Sequence, residues 1–238
     1  MSDERTPTTE EVAANVAKAQ AEAAKALAEA EKFRAEAAEA QAKADLAALK
    51  TQKEIDADIA SRAGDEYHHV YRFDGAVDAA SVSKCMKKLT EWHRLDEGCA
   101  IEVIFSSPGG SVIDGMELFD FLVGLQHEGH SVTTGCTGMA ASMAGILVQA
   151  GGTRWMSHQS WYMIHRAAFG SHGKTFEVED TVEWIKRIES RIIDIFTRNS
   201  HLTKNKIKRN WDRKDWWITA DEALEMGLID EIRSMPVQ

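Results

Sequence analysis

The sequence predicts an α/β protein: a largely parallel sheet covered by helices on both faces, behind one long N-terminal helix. Three observations carry this. Composition changes sharply near residue 63, where a tract rich in Ala, Glu, Lys and Gln, without Gly or Pro, gives way to mixed sequence. From Tyr67 onward, short apolar runs of strand length alternate with segments of helical length. Runs such as Ala100 to Phe105 are continuous rather than alternating, as expected of strands buried on both faces.

The tract from Thr9 to about Arg62 consists of strong helix formers. Thr8 followed by Glu11 fits a capping box, with Pro7 just outside it. Such a helix would be roughly 80 Å long. Its large apolar residues are sparse (Val12, Val16, Leu27, Phe33, Leu46, Leu49, Ile55 and Ile59) and keep no clean heptad. A solvated helix and an Ala-based coiled coil or scaffold arm both fit that pattern. Ala63-Gly64-Asp65 then reads as a hinge between a helical extension, 1–66, and a second domain, 67–238.

In the second domain, Val70 to Phe73 is a short strand and Ala79 to Trp92 an amphipathic helix with Val82, Met86 and Leu89 on one face. Ala100 to Phe105 is a strand, Ser106 to Ser111 a tight turn, and Asp114 to Leu125 a helix. Ser131 to Gly135 follows as a strand, Ala140 to Ala150 as a helix and Trp161 to Ile164 as another strand. Glu177 to Asn199 is a long helix, and Ala220 to Leu228 a short one that runs into Ile229 to Ile232.

Charge and cysteine content narrow the function. The formal net charge is −10, and 15 acidic against 9 basic residues lie within the first 66. This argues against general affinity for nucleic acid or anionic membranes. The basic run Lys204, Lys206, Lys208, Arg209, Arg213 and Lys214 around Trp211 is a local exception in an acidic protein. Cys85, Cys99 and Cys136 have no C-x-x-C spacing, and their odd number leaves at least one unpaired, so reduced thiols in the cytoplasm are the simplest expectation. No secretory h-region and no run of about 18 apolar residues is present. The expectation is a soluble protein without a membrane partner.

Three distant segments could carry chemistry. In Ser107-Pro108-Gly109-Gly110-Ser111 the paired glycines permit positive φ and let Gly110 aim a free N–H at a ligand. In Gly138 to Gly145 small residues surround one hydroxyl, Ser142, between a strand and a helix start, where N–H groups favour an oxyanion. In Met163-Ile164-His165 an imidazole ends an apolar strand and can accept a serine proton. Taken singly, each also has a plain structural reading: turn, helix cap, strand-end histidine.

Together, in this order, they resemble the proteolytic subunits of the Clp protease family. The resemblance runs from about Val70 to Ile232, through IFSSPGGSVIDGMELFDFL, GMAASMAG, MIH and DRKDWWITADEALEMGLID. It implies the ClpP/crotonase-like fold of superhelical β-α units with a handle helix. It also implies a serine endopeptidase acting on polypeptides through an acyl-enzyme, with Ser142 as nucleophile and His165 as base. Asp215, before Trp216, matches the orienting acid, with Asp212 a nearby rival. The backbone N–H groups of Gly110 and Met143 match the oxyanion donors.

The segment from Phe169 to Asn199 resembles the family's handle, a Gly-containing strand (Gly170, Gly173) and a long helix with an apolar stripe from Trp184 to Phe196. The family uses it to join two heptameric rings into a chamber, so a homo-oligomer is implied. No cofactor is required by such chemistry, and no H-E-x-x-H pattern points to a metal.

Two departures stand out. An acidic helix replaces the family's usual N-terminal segment, which gates the chamber and meets an AAA+ ATPase, so dependence on an ATPase is open. Arg166-Ala167 follows MIH where the family usually has Gln-Pro. An appended Ala/Glu helix also resembles head-maturation (prohead) proteases of tailed phages, with capsid or scaffold proteins as partners in a host cytoplasm. Competing readings are a Ser–Lys signal-peptide peptidase, a crotonase-type thioester enzyme and an inactive scaffold protein.

Overall fold

A computed structural model describes residues 8–234. Pro7 therefore lies outside the described residues. The chain divides into two compact units at Arg62/Ala63.

The first unit is dominated by helix α1, Thr9–Ala63, in which no residue is buried. Its start is capped as the sequence predicts: the Thr8 N–H donates to Glu11 Oε2 at 2.8 Å and the Glu11 N–H to Thr8 Oγ1 at 3.3 Å. Pairs one turn apart, Lys43–Glu39 at 2.6 Å and Arg62–Asp58 at 2.9 Å, lace its surface. Each contributes only about 0.3–0.5 kcal/mol. Propensity and capping therefore hold this helix, not packing within its own unit.

The second unit is a seven-stranded sheet with helices between its strands. In order these are β1 (Val70–Asp74), α2 (Ala79–Leu95), β2 (Ala100–Ser107), α3 (Val112–His127), β3 (Ser131–Ala141), α4 (Met143–Val148), β4 (Thr153–Ser157), β5 (Trp161–Ile164), α5 (Thr175–Asn199), α6 (Lys204–Trp211), β6 (Trp216–Ile218), α7 (Ala220–Glu225) and β7 (Glu231–Arg233). The main path β1-β2-β3-β4-β7 is parallel throughout. Phe105, Leu118, Leu122, Leu147 and Tyr162 are fully buried between sheet and helices. On α2, Val82 and Leu89 are buried and Met86 packs against them from the edge.

Two expectations are corrected. The strand expected to end at Gly135 continues to Ala141, and the helix expected from Ala140 begins only at Met143. The cause is a change of partner. Thr133 to Cys136 pair with β4, whereas Met139 to Ala141 pair in parallel with Trp161 to Met163 of β5. Gly138, at φ 65°, lies between the two ladders. The alanines would suit a helix, but a second strand claims their backbone groups.

The second correction concerns the strand expected around Gly170 and Gly173. Residues 165–174 pair with no strand among the described residues. The long helix instead starts at Thr175, with the Lys174 N–H donating to Glu177 Oε2 at 2.9 Å. Of the apolar stripe on α5, Ile192 and Phe196 enter the core while Trp184 stays half exposed.

Candidate active site

Ser142 stands between β3 and α4 at φ 56° and ψ −123°, a conformation L residues rarely adopt. Holding it costs about 1–3 kcal/mol, offset by its surroundings. The Ser142 N–H donates to Met163 O at 2.9 Å, extending the β3–β5 ladder by one residue. Beneath it, the buried Tyr162 hydroxyl donates to Gly145 O and accepts from Gln149 Nε2 at 3.0 Å. The sharp turn lifts the hydroxyl out of the sheet.

His165 follows β5 directly, so the same ladder that fixes Ser142 fixes it too. His165 Nε2 lies 2.6 Å from Ser142 Oγ. Asp215 immediately precedes β6, which pairs antiparallel with β5 in the register Ile164↔Trp216. One step further along that register sets His165 against Asp215. The Asp215 carboxylate lies 3.6 Å from His165 Nδ1, an ion-pair separation rather than a hydrogen bond, and its side chain is 56 % exposed. Asp212 turns elsewhere: its carboxylate is 4.0 Å from Arg166 Nη1. Of these two carboxylates, Asp215 is therefore the one beside His165.

The glycine turn after β2 closes the site. A Cβ on Gly109 would meet Ala141 O and Ser142 Cβ at 2.6 Å and Met143 N at 2.8 Å, so only a bare α-carbon fits there. Gly110 packs against Val77: the Ser111 N–H donates to Val77 O at 2.7 Å, and the Val77 N–H to Gly109 O at 2.9 Å. The N–H groups of Gly110 and Met143 have no protein acceptor among the described residues. One of these N–H groups directly follows the serine in the chain, and the other directly follows Gly109, which packs against the serine turn.

Beside Ser142 and His165, a small pocket is lined by Val112, Ile146, Ile192 and Phe196. Sequence reading did not single these out as site residues, although Ile192 and Phe196 belong to the stripe on α5. It also missed the role of Arg166, which grips the buried Glu189 with two bonds of 2.9 Å. The thiols are poor competitors for the chemistry. Burial pushes Cys136 up to about 12 and Cys85 higher still, so both stay protonated at neutral pH.

A serine, an imidazole and two free N–H donors at the ends of β2, β3 and β5 meet a carboxylate at the start of β6. Against known families, residues 51–235 match the model of the Clp protease family. The chain belongs to the Clp protease family. This makes it a serine-type peptidase with the family's α/β fold. Among curated Clp relatives, the ATP-dependent Clp protease proteolytic subunit of Bacteroides thetaiotaomicron is 36 % identical over 158 residues, 66 % of this chain and 70 % of the relative. The subunit of the same name from Porphyromonas gingivalis is 39 % identical over 158 residues, covering 66 % of this chain and 69 % of the relative. Subunit 1 from Chlamydia pneumoniae is 34 % identical over 164 residues, covering 67 % and 84 %. The Clp match begins within α1, so residues 1–50 stand outside it. Among the described residues no helix is long and apolar enough to cross a membrane.

Proposed function

We propose that this Clp-family peptidase cleaves polypeptides internally, with Ser142 as nucleophile, His165 as general base and Asp215 as the acid that orients it. The observation that carries this is the 2.6 Å contact between His165 Nε2 and Ser142 Oγ at a strained turn. His165 takes the hydroxyl proton as Ser142 attacks the peptide carbonyl. The carbonyl oxygen, now negative, accepts hydrogen bonds from the Gly110 and Met143 N–H groups. His165 returns the proton to the leaving amine, and water, activated by the same imidazole, releases the acyl group. Asp215 holds Nδ1 protonated and balances the imidazolium.

The working form we propose is a ring-shaped homo-oligomer enclosing the active sites, acting in the cytoplasm, where three unpaired buried cysteines would stay reduced. Phe169, Phe176 and Trp184 are each about half exposed on or just before α5, large apolar surface of the kind a subunit contact covers. A phage head-maturation role is the second reading. It is favoured by α1, a helix of 55 residues with none buried, which suits a scaffold-docking arm or a coiled coil. The relatives are named ATP-dependent; for this chain, action with or without an ATPase is part of the same test.

The test is hydrolysis of a fluorogenic peptide by the full chain, without ATPase, beside its native mass and the Ser142→Ala variant. A ring-sized assembly with activity lost in the variant supports the proposal. A monomer, or activity that survives Ser142→Ala, overturns it. Ser142-dependent cleavage of a capsid precursor would support the second reading, and its absence would count against it.

A further inference from the structure

We propose that His69, Asp96 and Cys99 bind one divalent transition-metal ion of the zinc class, at the end of the sheet opposite Ser142. The site arises from the parallel registers. Val70 of β1 pairs with Glu102, and Ala100 of β2 pairs with Ser131 of β3. Cys99 and His130 therefore stand side by side just upstream of β2 and β3, and His69, just upstream of β1, lies level with Ile101, two residues further along β2. Ser142, His165 and the glycine turn lie where the strands end.

The donor atoms converge without bonding one another. His69 Nδ1 is 3.9 Å from Asp96 Oδ2, too far for a hydrogen bond. The ligand atoms of His69, Asp96 and Cys99 all lie within 4.8 Å of one another. Around a tetrahedral zinc ion such atoms are about 3.3–3.8 Å apart, so a contraction of roughly 1 Å would close the shell, with water in the fourth position.

The backbone is shaped for this. Asp96-Glu97-Gly98-Cys99 turns back through Gly98 at φ 71°, presenting two ligands three residues apart as zinc knuckles do. His69, also at positive φ (53°), is the third. Its ring packs on the buried Trp92, with centroids 5.3 Å apart, which limits its swing.

Cys99 has its own support. His130, buried, sets Nδ1 3.1 Å from Cys99 O and 3.5 Å from Cys99 Sγ, while its Nε2 is 2.8 Å from His93 Nδ1. His130 thus links Cys99 to His93 as an outer partner that holds a ligand in place. Among the described residues the only ion-pair partner of Asp96 is His69. A dication supplies the missing positive charge, and its binding releases the Cys99 proton to solvent. The mixed nitrogen, oxygen and sulfur set favours zinc-like ions over calcium or magnesium. Such an ion would tie the entry of β1 to the α2–β2 turn.

The experiment titrates the metal-free full chain with cobalt(II) chloride, then displaces the cobalt with zinc chloride. The expected result is one cobalt per chain with a thiolate-to-metal charge-transfer absorption that zinc abolishes. Zinc at a hundredfold excess over its Kd should raise the melting midpoint by about 5–10 °C. Cys99→Ser should lose the absorption. Asp96→Asn, on an exposed side chain that leaves the core intact, should weaken cobalt binding at least about tenfold. Absence of the charge-transfer band in the wild type, or equal cobalt affinity in wild type and Asp96→Asn, overturns the proposal.

Discussion

The α-carbon of Gly109 rests against the turn that carries Ser142, so close that a Cβ would lie 2.6 Å from the Ser142 Cβ. Gly109 also sits at φ 89°, where side chains are strained in any case. Gly109→Ala would therefore force the glycine turn and the Ser142 turn apart at a buried position. Loss of one oxyanion donor costs about 10²–10³ in rate. The variant should still fold by circular dichroism, melt below wild type by the about 1–3 kcal/mol that overpacking costs, and lose at least about 100-fold in kcat on a short peptide.

Asp215 and Asp212 make a paired prediction. The antiparallel register sets Asp215 against His165, whereas Asp212 faces Arg166. Asp215→Asn should lower kcat by at least about 100-fold, less than for a buried triad acid because this carboxylate is solvated. Asp212→Asn should change it by no more than about twofold, as for an ordinary surface substitution. Steady-state kinetics on both variants decides between them.

Gly135 of β3 has the ring of Trp155 where a side chain would start, with Cε2 only 2.3 Å from an added Cβ, a contact the site cannot accept. Trp155 is itself anchored, its Nε1 donating to Glu102 Oε1 at 2.7 Å, so it cannot simply turn aside. Gly135→Ala should cost about 1–3 kcal/mol by overpacking. A lowered urea midpoint with an unchanged slope would register it.

Arg154 clamps β4 to the chain end that leads into β7. It donates from Nε and Nη2 to Asp230 at 3.0 and 2.6 Å and from Nη1 to Gln149 Oε1 at 2.9 Å. Burial alone would raise the Asp230 carboxyl, but the Arg154 hydrogen bonds and charge outweigh it and hold the carboxyl below its ordinary range. A depressed carboxyl adds stability that is present above the unfolded value of about 4 and is lost as pH falls through the lower folded value. Asp230→Asn should thus melt below wild type at pH 7. The gap should narrow as the pH falls below about 4, seen by thermal melts across a pH series.

Much of this was legible in the sequence because periodicity and burial agreed. The strand at Ala100, the helix at Ala79 and the strand at Trp161 were predicted from apolar runs and stripes, and the structure has all three. The β3–α4 boundary was not, because Ala140 and Ala141 have helical propensity while a distant strand, β5, fixes them as extended. Strands β4, β6 and β7 carry charged or exposed aromatic residues and are only three to five residues long, so no periodic signal marks them. Ser142 and His165 could be picked out by their local motifs. Asp215 could be put ahead of Asp212 only by resemblance, because the β5–β6 register that sets it opposite His165 joins segments about 50 residues apart. His69, Asp96 and Cys99 were invisible as a group, since parallel pairing across a crossover helix, not sequence spacing, brings His69 to the other two.

The most direct test of the central claim is intact-chain mass after treatment with a fluorophosphonate, with peptide mapping of the adduct. One adduct per chain, located on Ser142, absent from Ser142→Ala and strongly slowed in His165→Ala, is the predicted result. A fully folded wild type that takes no label, or labels at another residue with peptidase activity retained in Ser142→Ala, would contradict it.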